Sequence, residues 1–244
     1  ENVEKEFRSS CSFFEKRYSN LRMSVPDERL ESICNSWIQK QVDFCTVGKK
    51  GVRDNLQVAV GQLNFIAEKG MREIEACLTH QFKDGHALLT WYPYDNIPYS
   101  DQPFWIIWAV IQGLKETGDL SFLEKEVAYE DGGSGTVWEH LEQAALRLIE
   151  DRGPHGLVLL KYADWNDALN VTNDPEAESV MLSAQACIAF RELEELCRYR
   201  RQEKAAETYR KEYQALASAI QTHAWNGEYY ARALTKHGPV GSRE

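Results

Sequence analysis

The chain has 244 residues, 43% hydrophobic and 11% aromatic, which is enough apolar surface for one large core. Its net charge of −10 argues against a nucleic-acid partner, because phosphate backbones are gripped by clustered Lys and Arg. Pro and Gly are too few for a linker-dominated chain, and no apolar run approaches the ~18 residues of a membrane span.

The first segment, 3–18, reads as a helix. Pro26 suits the first turn of a second helix after Ser24. From there Leu30, Ile33, Cys34, Trp37, Ile38 and Val42 recur at three- and four-residue spacing, which predicts one buried face. A helix is expected over 55–68, with Gly70 breaking the pattern, and another over 71–82. Further helices are expected at about 102–117, 137–151, 177–199 and 203–225. Arg198-Tyr199-Arg200-Arg201 reads as a helix end with cations near its carbonyl terminus. Only the tail, 224–232, reads as a hairpin, with Asn226-Gly227 in the turn. The fold class is therefore mainly α, with roughly seven longer helices. Neither a repeat nor a composition shift marks a domain boundary.

Three long connections, 83–100, 129–135 and 162–175, carry the densest aromatic and acidic content, and long loops in a compact domain are usually functional. In Asp164-Trp165-Asn166-Asp167 two carboxylates flank an indole, equipment suited to gripping a sugar ring and protonating its leaving oxygen. A helix cap or Asx turn explains one of these aspartates equally well, but not the tryptophan. In Arg53-Asp54 an adjacent pair can bind vicinal hydroxyls, or Asp54 can cap a helix with Arg53 solvated. Aromatic stretches 91–95 and 99–105, with Asp95 and Asp101 interspersed, suit carbohydrate stacking; the alternative is loop packing with a cap at Ser100 or Asp101.

His86 lacks a second His or Cys at ligand spacing, so no metal site is expected. Phosphate-loop, dinucleotide, esterase and zinc-protease signatures are absent. The six scattered cysteines contain no Cys-x-x-Cys pair and read as reduced core thiols; with no signal peptide, the expected compartment is the cytoplasm.

Six segments in order resemble the inverting glycoside phosphorylases of the cellobiose and chitobiose phosphorylase family (glycoside hydrolase family 94). They are 51–57, 81–85, 100–105, 155–170, 178–180 and 225–241, the last running from Trp225-Asn226-Gly227 to Gly238-Pro239-Val240-Gly241 and then Ser242. The resemblance implies an (α/α)6 barrel with its active site in the loops at one end. It implies phosphorolysis of a β-linked glucoside oligosaccharide, with inorganic phosphate as co-substrate and no cofactor. By motif, Asp167 corresponds to the general acid, Trp165 to a wall of the sugar subsite and Asp54 to the aspartate that holds the sugar. Arg53 neighbours that aspartate, and Asp101 joins the substrate-binding set. Asp164 becomes a support of the loop and a neighbour that raises the pKa of Asp167.

The sequence departs from the family pattern in places. Family members carry an arginine several residues before the Arg-Asp pair; here Lys49 or Lys50 stands in its place, without a planar fork. The aspartate that usually follows Leu-Gln is replaced by Val58. Seven helices against a barrel of twelve imply part of a barrel, with 1–25 as a helical lead-in and 26–244 as the barrel's first portion. The family's phosphate-gripping residues are expected beyond Glu244, and a homodimer is the assembly that the resemblance implies. An inverting hydrolase and a non-catalytic sugar-binding fragment remain the alternatives.

Overall fold

The structure, a computed structural model, describes residues 2–45, 50–169 and 173–241. Lys49, Asn170 and Ser242, each quoted in a motif above, lie outside the described residues. The mainly α expectation holds. The helices are α1 (Val3–Arg17), α2 (Glu28–Ser32), α3 (Ile38–Phe44), α4 (Val52–Leu63), α5 (Ala67–Leu78), α6 (Gln102–Thr117), α7 (Val137–Glu150), α8 (Val180–Tyr199) and α9 (Glu203–His223). A single π-turn, Ile33–Trp37, fuses α2 and α3 into one rod.

The core gathers around α6. This helix is apolar nearly all round, as a central helix must be, and it packs against α4, α5, α7 and α8. Consecutive helices joined by short loops, such as α8 and α9, lie side by side. Sequence signals explain several ends. Thr136 and Glu139 form a reciprocal capping box at the start of α7, and the Ser179 hydroxyl accepts from the Leu182 amide to cap α8. The basic cluster at 198–201 does close a helix: Arg200 pairs with Glu124 at 2.9 Å and lies over the Trp138 ring.

Four expectations change. Asp27, not Pro26, starts the second helix, its carboxylate accepting from the amides of Arg29 and Leu30. The face from Leu30 to Val42 is not buried: Leu30, Ile33, Trp37 and Ile38 are exposed, as are Phe7, Phe13 and Phe14 of α1. Asp43 ties this region down instead, accepting from Arg17 at 2.5 Å and Lys69 at 2.8 Å. Gly70 does not break a helix. The break falls at 64–66, and Gly70 lies inside α5 where a Cβ would come within 2.9 Å of the Ala59 carbonyl oxygen. A missing side chain here serves helix-on-helix contact, not a turn.

Strands are also more widespread than the tail. β1 (Lys50–Gly51), β2 (Thr90–Tyr92) and β3 (Tyr94–Asp95) form one antiparallel sheet, and β4 (Glu126–Ala128) pairs with β5 (Ser134–Thr136). β6 (Glu178–Ser179), β7 (Ala233–Thr235) and β8 (Gly238–Val240) form a third, with Ser179 opposite Ala233 and Ala233 opposite Val240. Trp225 and Tyr230 do bridge around Asn226-Gly227, as the tail pattern predicts. These short strands escape a periodicity search because two or three residues cannot establish a period.

Candidate active site

The site begins at the start of α4. Gly51 occupies the N-cap position, extended, and a Cβ there would lie 2.9 Å from the carbonyl oxygen of Leu89, the residue just before β2. That close approach sets Arg53 one residue into the helix, pointing inward and only 7% exposed. The capping alternative for Asp54 with a solvated Arg53 is therefore overturned. Asp54 lies in the first helical turn with its side chain 57% exposed, 3.8 Å from Arg53 Nε.

Arg53 gathers segments that are far apart in sequence. Its Nη1 donates to Asp101 Oδ2 at 3.4 Å and to the Asp164 carbonyl at 3.3 Å, and its Nη2 donates to Asp167 Oδ1 at 2.9 Å. Beneath it lies the Tyr99 ring, 5.2 Å from the guanidinium carbon. Burial works against its charge, but Asp101, Asp167 and Asp54 outweigh that and hold its pKa above the ordinary value. Only a planar fork can serve acceptors in several directions at once. The donors that could have gripped sugar hydroxyls are thus turned toward carboxylates.

The loops before α6 and before Asp164 are fastened together. The Ser100 amide and hydroxyl both donate to the Ala163 carbonyl, and Tyr99 bridges Lys161. Lys161 takes a left-handed φ of 53°, which turns the chain into the loop. Asp101 holds the N-cap position of α6 without capping it. Its Oδ2 accepts from Trp105 Nε1 at 2.9 Å and from Arg53 instead. Among the described residues no protein donor reaches Oδ1. Burial, opposed by Arg53 and Trp105, pushes this carboxyl up to about 6.

Protonation of Asp101 is coupled to folding. Its folded pKa lies above its ordinary one, so the folded protein binds the proton more tightly than the unfolded chain. The stabilisation is complete below about pH 4 and is lost as the pH rises to about 6. Thermal unfolding should therefore show wild type losing stability over that window relative to Asp101→Asn. Parallel curves would contradict it.

Asp164 is fully buried. Its Oδ1 accepts from Arg232 Nη2 at 2.5 Å and from the Asn166 amide at 2.9 Å, while Oδ2 accepts from the Ser179 hydroxyl at 2.5 Å. The Asx turn is real, and Asn166 makes a second one onto the Ala168 amide. Among the described residues no helix follows it before α8. The two carboxylates face different cations, Asp164 toward Arg232 and Asp167 toward Arg53. Within this cluster, burial raises the Asp101 carboxyl.

Trp165 and Asp167 remain available to a ligand. The Trp165 side chain is half-exposed, its ring 6.4 Å from that of Trp105, and the Asp167 side chain is 63% exposed. The structure thus joins Arg53, Asp54, Asp101, Asp164, Trp165 and Asp167 in one place, with Tyr99, Trp105, Ser179 and Arg232 around them. None of these last four is singled out by the sequence as a site residue, although Tyr99 and Trp105 lie in the stretch suited to carbohydrate stacking, and Ser179 and Arg232 in segments that carry the resemblance. Trp105 had one usable signal, since it follows Asp101 by four residues on a helix, where side chains meet.

Residues 13–244 match the family described as the Glycosyl hydrolase 94 superfamily, catalytic domain. A solabiose phosphorylase from Paenibacillus borealis is 37% identical over 91% of this chain and 30% of its own length. An N,N'-diacetylchitobiose phosphorylase from Vibrio furnissii is 27% identical over 97% of this chain and 35% of its own length. A cellobionic acid phosphorylase from Neurospora crassa is 26% identical over 90% of this chain and 30% of its own length. The chain spans about a third of the length of these curated relatives.

Proposed function

Because the chain belongs to the glycosyl hydrolase 94 superfamily, we propose that it carries the proton-donating part of an inverting glycoside phosphorylase. The substrate class is a β-linked glucoside disaccharide or oligosaccharide. One observation supports this most: the exposed Asp167 carboxyl beside the exposed Trp165 ring, on a loop fastened from beneath by Arg53.

In this reading Asp167 gives its proton to the glycosidic oxygen as the bond from that oxygen to the anomeric carbon breaks. Phosphate attacks the same carbon from the opposite face, and the product is a sugar 1-phosphate of inverted configuration. Phosphate is already an anionic nucleophile, so no second carboxylate has to activate water. Trp165 offers an apolar face to the sugar ring, and Asp54 offers an exposed carboxylate to its hydroxyls. Arg53 and Asp101 serve the sugar indirectly, by fixing where Asp167 and Asp54 stand. The helices form part of an (α/α)6 barrel, with 1–25 as its lead-in, in a cytoplasmic homodimer.

The test is dependence on phosphate. Incubated with β-glucosides, the whole protein should yield a sugar 1-phosphate and should be inert in phosphate-free buffer. Release of free sugars without phosphate would overturn the proposal in favour of a hydrolase.

A further inference from the structure

We propose that Arg232 is a positioning residue for proton donation: by neutralising the buried Asp164 it fixes the turn that presents Trp165 and Asp167. The proposal rests on the phosphorylase reading above and extends it to a residue 65 positions beyond the acid, counting from 167 to 232.

Arg232 is itself held firmly. Its amide donates to the Val240 carbonyl at 2.8 Å, and its carbonyl accepts from the Val180 amide, so its backbone is locked between β8 and the start of α8. From there its Nη2 meets Asp164 Oδ1 at 2.5 Å and its Nη1 lies 3.4 Å from the Ser179 hydroxyl. Ser179 caps α8, so the positive end of a 20-residue helix adds to the same field. A fully buried carboxylate needs such partners, because an unpaired charge in the interior is strongly destabilising.

Asp164 passes this anchoring on in two ways. Its side chain accepts from the Asn166 amide, between Trp165 and Asp167, and its carbonyl accepts from Arg53, whose other arm holds Asp167. Without Arg232 the buried Asp164 carboxylate keeps only the Ser179 hydroxyl and the Asn166 amide as side-chain partners, and the turn it holds is weakened. Asp167 would then approach the glycosidic oxygen poorly. A displacement on the order of 1 Å can cost about a hundredfold in rate.

The test compares two β-glucosides in the whole protein, one with a sugar leaving group and one with 2,4-dinitrophenolate, which departs without a proton. Arg232→Met should lower kcat for the sugar leaving group by about a hundredfold, with KM little changed. Turnover of the dinitrophenyl glucoside should fall no more than about threefold, since placement of the acid no longer matters there. Arg232→Lys, which keeps the charge without the fork, should fall between wild type and Arg232→Met and replaces it should the latter not fold. Because the effect runs through Asp164, Arg232→Met combined with Asp164→Asn should be no worse than Arg232→Met alone. Equal losses on both substrates, or no loss on either, would overturn the role of Arg232. An Asp167→Asn variant that keeps full activity would overturn the phosphorylase reading and this proposal together. A dead Asp167→Asn beside a fully active Arg232→Met would overturn the role of Arg232 alone.

Discussion

Asp167→Asn is expected to lower phosphorolysis of a sugar-linked substrate by roughly two to four orders of magnitude, the usual span of general-acid catalysis. Asparagine has the same shape, and its amide oxygen can still accept from Arg53 Nη2, which now reaches Asp167 Oδ1 at 2.9 Å. The loop should therefore keep its place while the donated proton disappears. Disaccharide affinity, measured by calorimetry, should change less than about tenfold, because binding a ring over Trp165 does not require the acid. A low-pKa aryl leaving group should restore much of the rate. Retention of most activity on the natural linkage would move the proton donor elsewhere. Asp101 could not easily replace it, being fully buried and engaged with Arg53 and Trp105.

The second large effect is expected at Arg53. Arg53→Ala removes the partner of Asp101, which is 0% exposed, and of the more exposed Asp167. Breaking a buried pair from one side costs about 3–5 kcal/mol, much of it the penalty of the stranded charge. In a chain of 244 residues this corresponds to a fall in melting temperature of roughly 6–20 °C. Arg53→Lys should recover only part of it, since one ammonium cannot reach Asp101, the Asp164 carbonyl and Asp167 together. Adding Asp101→Asn to Arg53→Ala should regain stability by removing the stranded carboxylate, a non-additivity readable by denaturant unfolding. A loss under about 1 kcal/mol, the range of exposed pairs, would show that Arg53 does not organise the site.

Much of this site could be read in the sequence, though not its wiring. The stretch from Asp164 to Asp167 was legible because its chemistry is local: two acids, an indole and an amide within four residues. Arg53-Asp54 was legible as a pair, but its two readings could not be separated, since the choice depends on where the guanidinium points. It points at partners 48 and 114 positions away. Arg232 was invisible for the same reason, its carboxylate lying 68 positions back along the chain. Asp101 was assigned to the substrate, whereas its burial and its bonds to Trp105 and Arg53 make it part of the frame.

The sequence alone determined the helices whose apolar spacing runs through several turns, such as α6 and α8, and the acid-bearing loop. These follow from the 3.6-residue period and from backbone groups that need partners close at hand. Tertiary structure alone decided whether a face is covered. The stripe from Leu30 to Ile38 has a core-like period, yet it is exposed here. Gly70 has the pattern of a breaker, yet Ala59 and Leu63 lie directly against it. It also decided which buried charges pair, because desolvation is relieved by any opposite charge the fold brings near, and no pattern along the chain records that choice.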